Sequence, residues 1–271
     1  MMNNKTAEIR IPLVGRAFDS LLKSPKFRKK YKKAFTLAEV LITLAVVGVI
    51  ASFVVPRIKT KIEEATTVAL VRQVYGELNN SYQAAIKKYG PPQYWGLQEG
   101  ANVVDKSGNL VGYNPSENAP WKMLLEGLKA EDIDGKVSAY QPKALHGIYG
   151  MVNKARPIFK FENGVSALYP ATVASSTCNK KYGTSKYLQN VCGDIKVDIN
   201  GDAPPNTVGK DVFVFYYTKY NIIPLGYVED TVRPISKFCN RNSEENLNGH
   251  SCSSWVIYKG NMDYLRKDIK W

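Results

Sequence analysis

Phe35-Thr-Leu-Ala-Glu-Val-Leu-Ile-Thr-Leu-Ala-Val-Val-Gly-Val-Ile-Ala-Ser-Phe-Val-Val55 is the stretch that organises this chain, and Glu39 is its only charged residue. A helix of this length covers about 30 Å, the thickness of a bilayer's hydrocarbon core. The stretch therefore predicts a membrane-spanning helix. Arg28-Lys29-Lys30-Tyr31-Lys32-Lys33 precedes it; Arg57, Lys59 and Lys61 follow, soon joined by Glu63 and Glu64. The heavier positive charge on the N-terminal side predicts that this end stays cytoplasmic. A cleaved secretory signal is excluded, because the apolar run is too long and lacks a small-x-small exit site followed by polar residues. A plain signal anchor accounts for the basic-then-apolar pattern. It leaves Glu39 unexplained, since a carboxylate so near the start of a membrane helix is costly without a partner.

Working outward, Lys32-Lys33-Ala34-Phe35-Thr36-Leu37-Ala38-Glu39 resembles the cleavage and methylation site of type IV pilins and type II secretion pseudopilins. The resemblance implies that a prepilin peptidase cuts between Ala34 and Phe35, and that Phe35 is N-methylated. It implies that Glu39 pairs with the N-terminal amine of a neighbouring subunit during assembly. That pairing would satisfy both charges in lipid. Gly48 and Pro56 stand where family members often carry a helix Gly and a helix-kinking Pro. Two features depart from the pattern. Ala34 replaces the usual Gly before the cut, so cleavage is expected at a lower rate, and the 34-residue leader is long.

Beyond Pro56, Ile58, Ile62, Ala65, Ala69, Val71, Val74, Leu78, Tyr82, Ala85, Ile86 and Tyr89 recur at three- and four-residue steps. This predicts an amphipathic helix with one buried stripe. Pro56 removes a helix hydrogen bond and is expected to kink or locally melt the helix. Gly90-Pro91-Pro92 ends it. The expected organisation is a basic leader over 1–34, a membrane or filament-core helix over 35–55, an amphipathic continuation over 56–89 and an extracytoplasmic head over 90–271.

The head reads as α+β with an antiparallel sheet laid on the second half of the long helix. Ser116–Lys129 reads as a short amphipathic helix. Pro157–Tyr169 reads as a hairpin around Asn163-Gly164. Ile195–Ile199, Val212–Tyr217 and Ser254–Tyr258 read as further strands.

Asp198-Ile-Asn200-Gly201-Asp202, with Asn206 and Asp211 following, resembles the start of a calcium loop. The match is incomplete: Ala203 stands where Gly is needed, Pro204 and Pro205 stiffen the loop, and Gly209 replaces a bidentate Glu. Two readings stay open, a calcium site built from Asp198, Asn200, Asp202 and Asp211, or an Asx-rich turn between strands. The resemblance adds that some pseudopilins bind calcium in a C-terminal loop.

Cys178, Cys192, Cys239 and Cys252 pair most simply as neighbours, although spacing leaves the other two pairings open. In an exported head they predict disulfides. A local bridge closes a loop of about 15 residues and contributes roughly 3 kcal/mol in the entropy model. The Cys239–Cys252 segment, rich in Asn, Ser and Glu, resembles the disulfide-bounded C-terminal region of pilins.

The chain's net charge of +13 sits largely in residues 1–34, which hold ten Lys/Arg against two Asp/Glu. The remainder is only mildly basic, so no nucleic-acid partner is expected. No catalytic constellation is visible. His146 and His250 are the only histidines, and a surface His250 beside a bridged Cys252 is no nucleophile pair. The chain is therefore expected to be a non-enzyme. The favoured function is a filament subunit for type II secretion, the calcium-like loop tilting toward that system. A type IV pilus minor pilin for adhesion or DNA uptake is the alternative, and a monomeric membrane-anchored binding domain is a third reading.

Overall fold

The structure is a computed structural model that describes residues 35–97, 101–104, 110–114, 123–124, 126–146, 154–201 and 203–270. The leader with Ala34, Asp202 and most of the expected Ser116–Lys129 helix lie outside the described residues. The chain divides into two units at Val54/Val55.

Helix α1 spans Leu37–Tyr89. Thr36 caps its start, and Gly90, in the left-handed region at φ 78°, turns the chain away at its end before two prolines. Lys87 and Lys88 in the last turn complement the helix dipole. Helical assignment continues through Pro56, and the Thr60 hydroxyl donates to the Pro56 carbonyl at 3.0 Å. The helix is continuous at Pro56, the neighbouring turns holding the helical conformation although Pro supplies no N–H.

In the first unit, none of the apolar window long enough to cross a membrane is buried. In the second unit α1 buries Val68, Val71, Val74, Leu78, Ser81, Tyr82 and Ala85, a stripe of three- and four-residue steps. The expected stripe began too early. Ile58 and Ile62 are 51% and 60% exposed, and Ala65 and Ala69 are exposed as well, with Val68 taking the inward position. Periodicity marks which residues share a face; burial along α1 starts at Val68.

That sheet has six strands in sequential order, every pair antiparallel. They are β3 (Ala130–Asp132), β4 (Arg156–Phe161), β5 (Ser166–Val173), β6 (Val191–Asp198), β7 (Val212–Thr218) and β8 (Ile222–Pro224). Strands β1 (Ala101–Val104) and β2 (Leu110–Asn114) form a separate two-stranded pair. The expected hairpin is β4–β5, with Asn163-Gly164 at its turn and Gly164 at φ 88°.

Strand β7 is buried along its whole length because both sheet faces are covered. Phe213, Phe215 and Tyr217 join Val71, Val74, Leu78 and Tyr82 of α1 in one core. Val212, Val214 and Tyr216 join Leu168, Leu188 and Leu225 in a second core on the opposite face. Lys196 and Asp194, two residues apart on β6, form an ion pair with side chains only 6% and 15% exposed. Burial alone would raise the Asp194 carboxyl, but the Lys196 ammonium holds it below the ordinary carboxylate range.

Edge strand β8 is closed by α1. The Ile222 N–H donates to Asn79 Oδ1 at 3.1 Å, and the Tyr75 hydroxyl donates to the Ile222 carbonyl at 3.2 Å. Pro224 lacks an N–H, so little of this edge is left to recruit another strand.

Ser254–Tyr258, expected as a strand, lies in helix α3 (Cys252–Lys259), which follows the short α2 (Ile235–Phe238). Trp, Val, Ile and Tyr favour strands locally. Here Cys252, Trp255 and Val256 face the core at helical spacing, and Gly260 at φ 69° ends the helix. The Arg72 guanidinium of α1 donates through Nη2 and Nε to the Ile257 carbonyl at 2.9 and 3.2 Å. A Cβ on Gly260 would stand 2.7 Å from that guanidinium, so glycine serves both the turn and the contact.

Candidate functional site

The start of α1 is built by two residues. The Glu39 N–H donates to Thr36 Oγ1 at 3.2 Å. In return, Glu39 Oε2 accepts from the Thr36 N–H at 2.8 Å and from the Thr36 hydroxyl at 2.9 Å. This is a reciprocal capping box, which satisfies backbone donors that no helical turn can reach. Thr36 went unremarked in the sequence reading, although Thr-x-x-Glu at the head of an apolar run is the signature of such a box. The carboxylate expected to pair with a neighbour's amine is held against the helix start, one residue after Phe35. Phe35 itself is 84% exposed.

Residues 29–55 match the family model described as the prokaryotic N-terminal methylation motif, the hallmark of type IV pilins and pseudopilins. The N-terminal segment is thus similar to that of pilin-like prepilins. No curated protein and no solved structure matches the chain. The motif implies processing by a prepilin peptidase and association with pilin subunits. The long apolar helix fits a single-pass membrane anchor.

In the head, the four cysteines form the two local bridges. Cys178 joins Cys192 with sulfurs 2.00 Å apart, and Cys239 joins Cys252 at 2.02 Å. His250, expected at the surface, is buried at 3% exposure, its Nδ1 2.9 Å from Arg233 Nη1. It is held there because the end of the bridged segment, residues 248–252, is buried, whereas Arg241, Asn242, Glu244, Glu245 and Asn246 stay exposed. Gly249, at φ 107°, lies so close to Val208 that a Cβ would meet the Val208 carbonyl oxygen at 2.0 Å.

The loop joining β6 to β7 carries the other candidate residues. Asp198 is fully buried. Its Oδ1 accepts the Asn200 N–H at 3.1 Å, and its Oδ2 accepts the Tyr140 hydroxyl. Asp211 accepts the Thr207 N–H at 2.6 Å through Oδ1 and the Asn206 N–H at 2.8 Å through Oδ2. Burial raises the Asp211 carboxyl above its usual range despite these N–H donors. Asn200 reaches toward the Pro204 carbonyl at 3.4 Å with its side-chain amide. Asp202 lies outside the described residues. All four oxygens of Asp198 and Asp211 are engaged by protein donors, the arrangement of an Asx turn and its anchor. Among the described residues no three His, Cys, Asp or Glu side chains gather as a metal cluster.

Proposed function

We propose that this chain is a structural filament subunit, processed between Ala34 and Phe35 and assembled through its apolar helix into a type II secretion pseudopilus or a related pilus-like filament. The observation that carries the reading is the methylation motif at residues 29–55 on a helix whose apolar half is unburied among the described residues. Such a surface is stable only in lipid or against other apolar helices. Extraction from the bilayer into a bundle of like helices exchanges one apolar environment for another.

Glu39 supplies direction in this scheme. Before cleavage its carboxylate is satisfied by Thr36. Removal of the leader exposes a new amine at Phe35, one residue before Thr36. An amine on a neighbouring copy then competes with the Thr36 donors, and an ion pair out of water is stronger than the neutral contacts it replaces. The head is non-enzymatic in this reading and is turned to the outside. Its Asp198–Asp211 loop acts as a metal-independent turn joining β6 to β7.

The test is the N-terminal sequence and intact mass of the protein recovered from its native membrane, together with Glu39→Ala. The expected mature chain starts at N-methyl Phe35. Glu39→Ala is expected to remain processed and membrane-bound yet fail to enter filaments. An unprocessed chain from cells with active prepilin peptidase, or Glu39→Ala filaments at wild-type yield, would sink the reading.

A further inference from the structure

His250 and Arg233 meet inside the head, and their contact fixes the state of the histidine. His250 is buried, and Arg233 Nη1 lies 2.9 Å from His250 Nδ1. A guanidinium keeps its proton in proteins and has only donors to offer. The histidine Nδ1 therefore accepts, and the ring is neutral with its own proton on Nε2. Phe238 helps to hold the guanidinium, which stands 5.8 Å from the centroid of its ring.

Backbone contacts gather around this pair. The Phe238 carbonyl accepts the Gly249 N–H at 2.7 Å and the Ser251 N–H at 3.2 Å. The Ser251 hydroxyl donates to the Arg233 carbonyl at 2.7 Å, and the Leu145 N–H donates to the Asn248 carbonyl at 2.9 Å. Residues 248–252 are thus fastened to positions 145, 233 and 238, with His250 in the middle. Charged and titratable neighbours come from other elements. Asp194 of β6 lies within electrostatic reach of Arg233 and His250, but Lys196 engages it in an ion pair. Asp230 accepts the Arg233 N–H, and Tyr216 of β7 lies within reach of Asp230 and Arg233. The direct contact is the one with Arg233, and it sets the sign. An imidazolium there would bring two donors and two positive charges together, 2.9 Å apart, in a buried site.

We infer that the Arg233–His250 contact is an acid-sensitive latch, which holds residues 248–252 against the head at neutral pH and releases them when His250 takes up a proton. The unfolded chain takes up that proton near about pH 6.5. The folded head resists it while the contact lasts. The stability carried by the neutral contact is therefore present above about pH 6.5 and is lost as the pH falls below it. Protonation of Asp230 in acid leaves the Arg233 charge less offset, which opposes a second charge on His250 further. The Cys239–Cys252 bridge keeps the released segment tethered, so the opening is local.

The experiment uses the full chain in detergent micelles with nitrogen-15 in its two histidines, His146 and His250. The spectrum of His146→Gln isolates the His250 signals. At neutral pH His250 is expected to show an Nδ1 without a proton. On acidification it is expected to stay neutral after a short histidine peptide in the same buffer has titrated. Its protonation should then coincide with faster amide exchange of residues 248–252, corrected for the intrinsic pH dependence. His250→Asn keeps an acceptor at the Nδ1 position and cannot titrate. Relative to this variant, the folding equilibrium constant of the wild type is expected to fall about tenfold between about pH 7.5 and about pH 5. The ceiling is about thirtyfold, reached if the folded head takes up no proton at His250. Should the variant fail to fold, the wild-type titration decides alone. A proton on Nδ1 at neutral pH, titration of His250 together with the peptide, protonation that leaves exchange of 248–252 unchanged, or parallel pH profiles for the wild type and folded His250→Asn would each overturn the latch.

Discussion

Residues 37–54 and 68–89 belong to one helix, yet they meet opposite fates. In the first, Leu44 and Phe53 are 63% and 68% exposed; in the second, Leu78 and Tyr82 are fully buried. Apolar chemistry alone does not distinguish them. The difference lies in patterning: the first segment is apolar all round, and the second confines its apolar residues to one stripe with Lys, Glu, Gln and Arg elsewhere. A helix apolar on every side cannot be satisfied by one sheet and needs a surrounding medium. A striped helix needs only one covering layer, and the chain provides it. The helix therefore fits a membrane anchor in its first segment and carries the buried stripe of the folded head in its second.

The largest expected effect separates these roles directly. Leu78→Ala removes a fully buried side chain beside Val74 and Tyr82 and should lower head stability by about 2–5 kcal/mol. Leu44→Ala should leave the melting transition of the head unchanged. Near-UV circular dichroism of the detergent-solubilised chain reads both. Equal destabilisation by the two substitutions would break the division between the segments.

Next in size is the Cys239–Cys252 bridge. Replacing both cysteines with serine should lower head stability by roughly 3 kcal/mol, since the cross-link restrains the unfolded chain. Segment 37–54 has no such restraint, and its insertion in the membrane should be unaffected. Thiol labelling of the unreduced, denatured chain should find no reactive cysteine; four reactive thiols would remove the bridges altogether.

The two segments also show what the sequence makes legible. The long apolar helix and the Gly90-Pro91-Pro92 stop follow from composition and local backbone rules, which act on the residues that carry them. The β4–β5 hairpin was legible for the same reason, its turn being written in Asn163-Gly164. The errors fall where distant residues decide. Trp255-Val256-Ile257-Tyr258 has strand propensity, but a cross-link at Cys252, the Arg72 contact with Ile257 and the Gly260 terminus hold it helical. Ile58 and Ile62 match the stripe by period, yet they stay 51% and 60% exposed. The Thr36–Glu39 box could have been read from its spacing.

A smaller effect concerns the buried carboxyl of Asp230, which has no counterpart in the anchor. Its Oδ1 accepts the Val232 and Arg233 N–H groups at 3.0 and 2.7 Å. Burial nevertheless raises its pKa above the ordinary value. The folded state therefore holds this proton more tightly than the unfolded chain does. The group's contribution is fully present below about pH 4, the unfolded value, and is lost as pH rises through the raised folded value. Asp230→Asn keeps the Oδ1 acceptor and cannot titrate. It should be as stable as the wild type, within about 1 kcal/mol, at neutral pH. It should also show a smaller gain in stability on acidification toward pH 4. Matching pH profiles for the two proteins would remove Asp230 from the account.

The smallest expected effect is none at all, and it bears on what stabilises the head besides its core. Asp198 spends both oxygens on Asn200 and Tyr140, and Asp211 spends both on Thr207 and Asn206. A cation arriving here must share lone pairs already oriented toward protein donors, with Lys210 next in sequence to Asp211. Millimolar calcium should therefore leave the melting temperature of the full chain unchanged, and Asp198→Asn should be destabilising with or without it. A rise in melting temperature with calcium that Asp198→Asn abolishes would show the opposite. The loop would then be a cation cage from Asp198, Asn200, Asp202 and Asp211, and the head, like the anchor, would depend on something the chain does not itself supply.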